Sequence, residues 1–225
     1  MSTLNMSGAF RTPPVIKNLL IINVLIFMAQ ELLPFGDWIT HHLALYYWES
    51  PNFGVWQYLT HMFLHGSISH IFFNMFSLWM FGRILEYDLG SKRFLVFYLL
   101  SGIGAGILYS CVNWIEISVV KDAAATSYAA AEKLWRLVNI PVVGASGAIY
   151  GVLLGFGMMH PNSVIMLIFP PIPMKAKYFV IIFMVIELFL GLRGGDGVAH
   201  FAHVTGMISA FLLLRYWKSK GKIHY

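Results

Sequence analysis

Gly144-Ala145-Ser146-Gly147-Ala148-Ile149-Tyr150-Gly151 is the stretch that decides how the chain is interpreted, because it carries one serine into an apolar helix. Pro141 lies just upstream, and the apolar run continues downstream through Phe156. The first backbone N–H groups of a helix have no partner inside the helix, and they can stabilise a developing oxyanion. Ser146 is therefore either a packing residue or a nucleophile, and the rest of the chain has to distinguish the two.

The composition is that of a membrane protein. Apolar residues make up 58% of the 225 residues, charged residues only 11%, and the mean hydropathy is +0.70. An ordinary soluble domain contains about 25% charged residues. The basic residues behind the net charge of +5 lie near predicted helix ends, which indicates topology rather than nucleic-acid binding. The single cysteine, Cys111, excludes an internal disulfide.

The hydropathy pattern predicts an all-α polytopic membrane protein with one domain over 15–217, a short cytoplasmic tail at 1–14 and a basic cytoplasmic tail at 218–225. Two long loops are predicted at 34–57 and 114–143, the second with a short surface helix at 123–131. The stretch 163–169 is too short to cross a membrane and is predicted to be interfacial. The six predicted spans are 15–33, 67–84, 94–113, 145–159, 178–192 and 198–217.

Lysine and arginine are distributed unevenly over the two sides of these spans. If the N-terminus is inside, the inner segments hold most of the 15 basic residues, and both termini are predicted to be cytoplasmic in a multi-pass protein of the cell membrane (plasma or inner). The outer loops then hold only Lys121, Lys133, Arg136 and Arg193.

This topology predicts that polar side chains from three helices meet at one depth. Spans two, four and six all run from outside to inside, and each carries polar residues in its first two turns. Buried polar groups in a membrane usually face the bundle interior or a water-filled cavity. The residues concerned are His70 and Asn74 in span two, Ser146 in span four, and His200 and His203 in span six.

Each of these residues also has an explanation that involves no catalysis. Ser146 alone would be a packing residue in a glycine-rich helix, and His203 alone a hydrogen-bonding residue between helices. His70 and Asn74 would form a polar clamp between helices. A zinc site is a further alternative, but the chain has no His-Glu-x-x-His helix and no nearby carboxylate pair. Its ligands would come from His61, His65, His70, His200 and His203.

Three motifs on three correctly ordered helices resemble the rhomboid intramembrane serine proteases over nearly the whole chain. They are Gly144-Ala145-Ser146-Gly147 with Tyr150, Ala202-His203-Val204-Thr205-Gly206, and His70-Ile71-Phe72-Phe73-Asn74. The resemblance implies a six-transmembrane-helix rhomboid-like bundle with Ser146 as nucleophile and His203 as general base. It further implies an oxyanion hole made of His70, Asn74 and the Ser146 backbone N–H, with Tyr150 stacked against the imidazole.

Small residues are expected to support this site. Gly144 and Gly147 leave room for another backbone, and Gly206 with Ala210 forms a small-xxx-small pair that brings helices four and six close together. Members of the family usually carry glycine where this chain has Ala210. The Trp56-Gln57 pair stands where many members have Trp-Arg, which brings the anchoring of the first outer loop into question.

Several acidic residues also receive predictions. The sequence places no carboxylate near His203 except Asp196 in a loop, so a Ser–His dyad is predicted and packing on Tyr150 has to orient the ring. Glu187 in span five is predicted either to snorkel or to form hydrogen bonds inward. Alternatively, it lies on the side where substrate enters. Glu86 is expected to pair with Arg83.

The predicted function is an intramembrane serine endopeptidase that cleaves transmembrane segments of other proteins near the outer side of the bilayer. Its partners are membrane-protein substrates and the lipid bilayer, and neither nucleic acid, a metal nor an organic cofactor is expected. Two other classes stay open. One is a catalytically silent rhomboid-like protein that binds membrane clients, and the other is a transporter or channel, for which the chain shows no inverted repeat.

Overall fold

The structure, a computed structural model, describes residues 12–166, 171–193 and 199–225. Three predictions fall wholly or largely outside these ranges. They are the N-terminal tail, of which residues 1–11 are not described, the second half of the interfacial stretch, and Asp196.

The first half of the described chain is helical, and one connection between its helices is a single residue. Gly90 alone separates α5 from α6, and its φ of +75° is a conformation that favours glycine. The elements are α1 (Pro14–Leu32), α2 (Gly36–Leu43), α3 (Gln57–Thr60), a 3₁₀ turn (His61–Phe63), α4 (Ile68–Ser77), a π-helical turn (Leu78–Gly82), α5 (Arg83–Leu89) and α6 (Ser91–Val120).

The second half adds four helices and a small hairpin. The two strands pair in antiparallel fashion, with Ile165 opposite Met174. The elements are a 3₁₀ turn (Ala123–Ala125), α7 (Tyr128–Asn139), α8 (Ser146–Met159), β1 (Val164–Met166), β2 (Pro173–Lys175), α9 (Ala176–Arg193) and α10 (His200–Ser219).

Three helical segments within the described ranges are long and apolar enough to cross a membrane, namely Pro14–Leu32, Ile68–Leu89 and Ser91–Val120. The fourth predicted span corresponds to a shorter apolar helix, Ser146–Met159. The protein is therefore mostly helical, with the apolar helices of an integral membrane protein.

The structure differs from the prediction in both long loops. The segment 34–57 contains the helix α2, which is joined to α1 by a hydrogen bond of 3.0 Å from Gln30 Nε2 to Thr40 Oγ1. The third span continues to Val120 instead of ending near 113, and Glu116 near its end pairs with Lys133 of α7 at 3.2 Å. The surface helix begins at Tyr128 rather than 123, because Ser127 caps it by accepting from Ala130 N.

The stretch predicted to be interfacial has a secondary structure that the sequence does not predict. Residues 164–166 are paired with 173–175 as an antiparallel hairpin, which satisfies the backbone groups of this short apolar stretch. Residues 167–169 of the predicted stretch are outside the described ranges.

Glu86 is not the partner of Arg83 that the sequence predicts. Its buried carboxylate accepts hydrogen bonds from Val15 N at 3.0 Å, Ile16 N at 2.8 Å and Ser91 Oγ at 2.6 Å. Arg83 lies over the ring of Trp79 at 4.6 Å. Glu86 therefore caps the N-terminus of α1, where unpaired N–H groups and the helix dipole favour a negative charge.

Gln57 anchors the first long loop, residues 34–57. The side chain is 1% exposed, and its amide donates to the carbonyl oxygens of His42 at 3.2 Å and Asn52 at 2.9 Å. Its Oε1 accepts from Tyr46 N at 3.2 Å. The departure from Trp-Arg therefore leaves the loop held by three hydrogen bonds from a neutral side chain.

The helix α8 lies at the centre of the bundle, in contact with α6, α9 and α10. A Cβ atom added at Gly206 of α10 would overlap the carbonyl oxygen of Gly147 of α8, so this crossing requires glycine. Thr205 Oγ1 joins α10 to the Ala105 carbonyl oxygen of α6 at 3.1 Å. These close approaches fix α10, and with it the polar residues of its first turn, against the start of α8.

Candidate active site

The backbone before Ser146 is held by the first long loop, residues 34–57, and the turn that follows it. Leu45 and Val142 exchange two backbone hydrogen bonds of 2.9 and 2.8 Å, and Gly144 N donates to His61 O at 2.9 Å. Gly144 has a φ of +130°, and a Cβ there would approach two ring atoms of His70 to 2.9 Å. Both the backbone conformation and the space therefore require glycine directly before the helix that carries Ser146.

The structure brings Ser146 and His203 into hydrogen-bonding distance. Ser146 is the first residue of α8, and its Oγ lies 2.8 Å from His203 Nε2 on the first turn of α10. The ring of Tyr150, one turn further along α8, stacks on the His203 ring with centroids 4.3 Å apart and planes inclined by 8°. A hydroxyl and an imidazole in this arrangement are placed for transfer of the serine proton to Nε2.

A carboxylate also contacts His203, contrary to the prediction from sequence. Glu187 of α9 has its Oε2 2.8 Å from His203 Nδ1 and 2.6 Å from His200 Nδ1, and its Oε1 accepts from the Tyr150 hydroxyl. The expectation that no carboxylate lies near His203 is therefore wrong. The side chain is 6% exposed, so it faces the bundle interior and not the outer surface of α9.

Sequence reasoning missed this contact because Glu187 and His203 are 16 residues apart on different helices. A signal was present, however, since an intramembrane carboxylate is costly unless it is hydrogen-bonded. Helices α9 and α10 run in opposite directions, and both residues lie roughly one to two turns from the connection between them. Comparing the distances of Glu187 and His203 from this connection would have predicted that the two residues are in contact.

The contacts of Glu187 determine the tautomer of His203. An ionised carboxylate only accepts hydrogen bonds, so the proton of a neutral His203 ring belongs on Nδ1. Nε2 then carries the lone pair that faces the Ser146 hydroxyl. The same reasoning puts a proton on Nδ1 of His200.

His70 and Asn74 lie on the first two turns of α4. The ring of His70 is next to Gly144, and its Nδ1 accepts from Gly66 N at 3.4 Å. The buried Asn74 donates one N–H to the His70 carbonyl oxygen at 2.9 Å, which leaves the second N–H of the amide for another acceptor. The structure thus brings His70 next to Gly144, two residues before Ser146. The described hydrogen bond of Asn74 lies within its own helix.

Among the described residues, one group of three has the side chains and the proximity to hold a metal ion. The donor atoms of Glu187, His200 and His203 all lie within 4.8 Å of one another. Ligands of a tetrahedral zinc ion with bonds of ~2.0–2.1 Å are separated by about 3.3 Å. The hydrogen-bonded separations of 2.6 and 2.8 Å are shorter, and direct hydrogen bonds account for them. Of the five histidines in the zinc alternative, this group contains His200 and His203, joined by Glu187.

Comparison with known proteins connects this geometry to a family. The family model described as the rhomboid domain matches residues 52–219. RHOMBOID-like protein 4 of Arabidopsis thaliana is 32% identical over 158 residues, which are 70% of this chain and 33% of the relative. Rhomboid protease GlpG of Yersinia pseudotuberculosis is 30% identical over 181 residues, which are 79% of this chain and 53% of the relative. The chain thus spans about half the length of the bacterial relative and a third of the plant one.

Proposed function

The chain belongs to the rhomboid family, and we propose that it is an intramembrane serine endopeptidase. The observation that carries the proposal is the 2.8 Å distance between Ser146 Oγ and His203 Nε2 inside a helical membrane protein.

The chemistry follows from these two side chains. Ser146 Oγ attacks the carbonyl carbon of the scissile peptide bond while its proton passes to His203 Nε2. The C–N bond of the tetrahedral intermediate then breaks, and the proton on Nε2 goes to the leaving amine. Water, deprotonated by the same nitrogen, hydrolyses the acyl-enzyme and restores the serine. Protein groups and water suffice for every step.

Three donors are proposed for the oxyanion. They are the Ser146 backbone N–H, the ring of His70 and the side-chain amide of Asn74. The N-terminal end of α8 adds the positive end of its helix dipole. Hydrogen-bond donors at such a position contribute about 3 kcal/mol each to stabilising the transition state.

We further propose the six-span topology for the domain 15–217, with the tails at 1–14 and 218–225 both cytoplasmic in a multi-pass protein of the cell membrane. The 14 residues of α8 rise ~21 Å, against a hydrocarbon thickness of ~30 Å. A helix this short leaves Ser146 below the outer interface, which gives water a recess through which to reach it.

The proposed substrates are transmembrane segments that enter laterally from the bilayer and are cut near its outer side. A peptide bond inside a helix is shielded by the helix itself, so the segment has to unwind locally before Ser146 reaches its carbonyl. Substrates with small residues and weak helical propensity at the cleavage site are expected to be cut fastest.

A silent rhomboid-like protein that binds membrane clients is the second candidate, because the family contains inactive members. Covalent chemistry distinguishes the two functions. A serine activated by His203 reacts with a serine-directed phosphonate, whereas a packing serine does not.

The deciding experiment uses the purified chain in liposomes with a model single-span substrate. Cleavage and phosphonate labelling are expected for the wild type, and both are expected to disappear in Ser146→Ala and in His203→Ala. Unchanged cleavage by Ser146→Ala would exclude the proposed nucleophile. A folded wild type that neither cleaves nor labels would favour client binding.

A further inference from the structure

We propose that Glu187 is a positioning residue for His203, so that the site works as a Ser146–His203–Glu187 triad. This inference rests on the proposed function and adds a carboxylate to the Ser–His pair that the sequence predicts. It also assigns structural roles to Tyr150 and His200, which hold that carboxylate.

Three side chains form a continuous hydrogen-bonded row. The two nitrogens of the His203 ring face Ser146 Oγ on one side and Glu187 Oε2 on the other, each at 2.8 Å. Stacking on Tyr150 fixes the plane of the ring, but a half-turn about the Cβ–Cγ bond keeps that plane and exchanges the ring edges. The hydrogen bond to Glu187 selects the edge, and it thereby directs Nε2 towards the serine.

The carboxylate also fixes the position of the proton. Because Glu187 Oε2 accepts from Nδ1, the lone pair of the neutral ring lies on Nε2. When Ser146 attacks, its proton moves to Nε2 and the ring becomes an imidazolium, whose positive charge faces the carboxylate. Glu187 stays ionised throughout, and the proton leaves again from Nε2 to the departing amine.

The surroundings of Glu187 are built to keep it ionised. Its side chain is 6% exposed in a bundle of apolar helices, where an unpaired charge would be costly. Oε1 accepts from the Tyr150 hydroxyl, and Oε2 accepts a second bond from His200 Nδ1 at 2.6 Å. Three donors around one carboxylate use most of its acceptor sites and hold it in one orientation.

A competing explanation makes Glu187 a purely structural tie between α9 and α10 through His200. Such a tie would affect folding and leave the reactivity of Ser146 in the folded protein unchanged. The two explanations therefore differ in the chemistry of the serine and not in stability.

The test compares Glu187→Gln and Glu187→Asp with wild type in liposomes. The substrate is a model single-span protein, and Ser146 is labelled with a fluorophosphonate. For Glu187→Gln we expect kcat and the labelling rate to fall by ~10²-fold or more, with KM within about threefold of wild type, because the ring loses its orientation and the imidazolium its counter-charge. Glu187→Asp keeps the charge, and its kcat is expected to be at least tenfold higher than that of Glu187→Gln.

Glu86→Gln is the matched control. Glu86 is also a buried carboxylate with three hydrogen-bond donors, but it lies at the start of α1 and not at the site. The same chemical change there is expected to lower the unfolding temperature while kcat and labelling of the folded fraction stay within about twofold of wild type. If Glu187→Gln and Glu86→Gln lose kcat equally, the loss is a general effect of neutralising a buried carboxylate. That result would overturn the triad.

A second measurement decides the matter even if Glu187→Gln does not fold. The ¹⁵N spectrum of histidine-labelled wild type, with His203 assigned from His203→Gln, is expected to show the proton on Nδ1. A proton on Nε2 of the neutral ring would overturn the proposal, as would wild-type rates in a folded Glu187→Gln. A wild type without cleavage or labelling would instead refute the proposed function itself.

Discussion

Tyr150 contacts the candidate active site through two parts of its side chain. Its ring stacks on His203, and its hydroxyl donates to Glu187 Oε1. Tyr150→Phe removes the second contact and keeps the first. We expect a loss of roughly threefold to tenfold in kcat, since one of three donors to the carboxylate disappears. Tyr150→Leu, which also removes the stack, is expected to lose more, and steady-state cleavage of the model substrate measures both.

Asn74 tests the proposed oxyanion hole. Asn74→Ala is expected to reduce kcat by about 10²-fold without abolishing it, because the Ser146 N–H and His70 remain as donors. The variant also removes the bond to the His70 carbonyl, so unfolding temperature should be measured alongside the rate. An unchanged kcat in Asn74→Ala would exclude the amide from the oxyanion hole.

The residues proposed for the reaction differ in how far the sequence could predict them. Ser146, His203 and Tyr150 stand in recognisable motifs, and the structure brings them together at 2.8 Å and in a ring stack. Glu187 belongs to no motif, and its partner depends on how α9 and α10 are paired. That pairing depends on contacts between residues far apart in the chain, which local sequence patterns do not predict.

At the scale of elements, the crossing of α8 and α10 depends on one glycine. Gly206→Ala would place a methyl group against the Gly147 carbonyl oxygen, a rigid backbone atom. We expect a loss of about 1–3 kcal/mol in stability, with a further loss of activity as His203 moves away from Ser146. In the control Gly66→Ala the added carbon meets only Val143 at 3.9 Å, and the unfolding temperature is expected to change much less.

Hydropathy predicts the element boundaries well where helices are apolar throughout. It predicts them poorly where polar residues continue a helix. The predicted starts of α4 and α8 lie within one residue of the observed ones, because Ser67 caps α4 and Gly144, with its positive φ, precedes α8. The end of α6 was placed seven residues too early, since its last turns carry Glu116 and leave the apolar pattern. The small hairpin was missed because strands of three residues leave almost no periodicity.

For the whole molecule, we expect acid stability to depend on a buried histidine next to the first long loop. Burial lowers the pKa of His61 from its ordinary value of 6.5 to about 4. The unfolded chain therefore binds a proton at higher pH than the folded protein does. The free energy of unfolding is expected to fall as pH decreases from 6.5 towards 4, and to lose no more from this group below 4. Unfolding followed by circular dichroism in liposomes measures this dependence.

The matched variant is His61→Gln, which removes the titrating ring. Between pH 6.5 and 4, the unfolding free energy of the variant should depend less steeply on pH than that of wild type. The difference corresponds to at most one proton fewer taken up on unfolding. Because His61 also accepts from Gly144 N through its backbone, which the variant retains, the serine loop keeps its anchor. An identical slope in both proteins would mean that His61 does not contribute to acid sensitivity.

The order of the helices along the chain has a consequence for biosynthesis. Ser146 stands on α8 and His203 on α10, the last helix of the described chain, and chains reach the membrane N-terminal part first. A nascent chain that has already inserted its serine still lacks the imidazole that would activate it. On the proposed function, newly made copies are therefore unreactive during membrane insertion, and they become reactive only when α10 is in place.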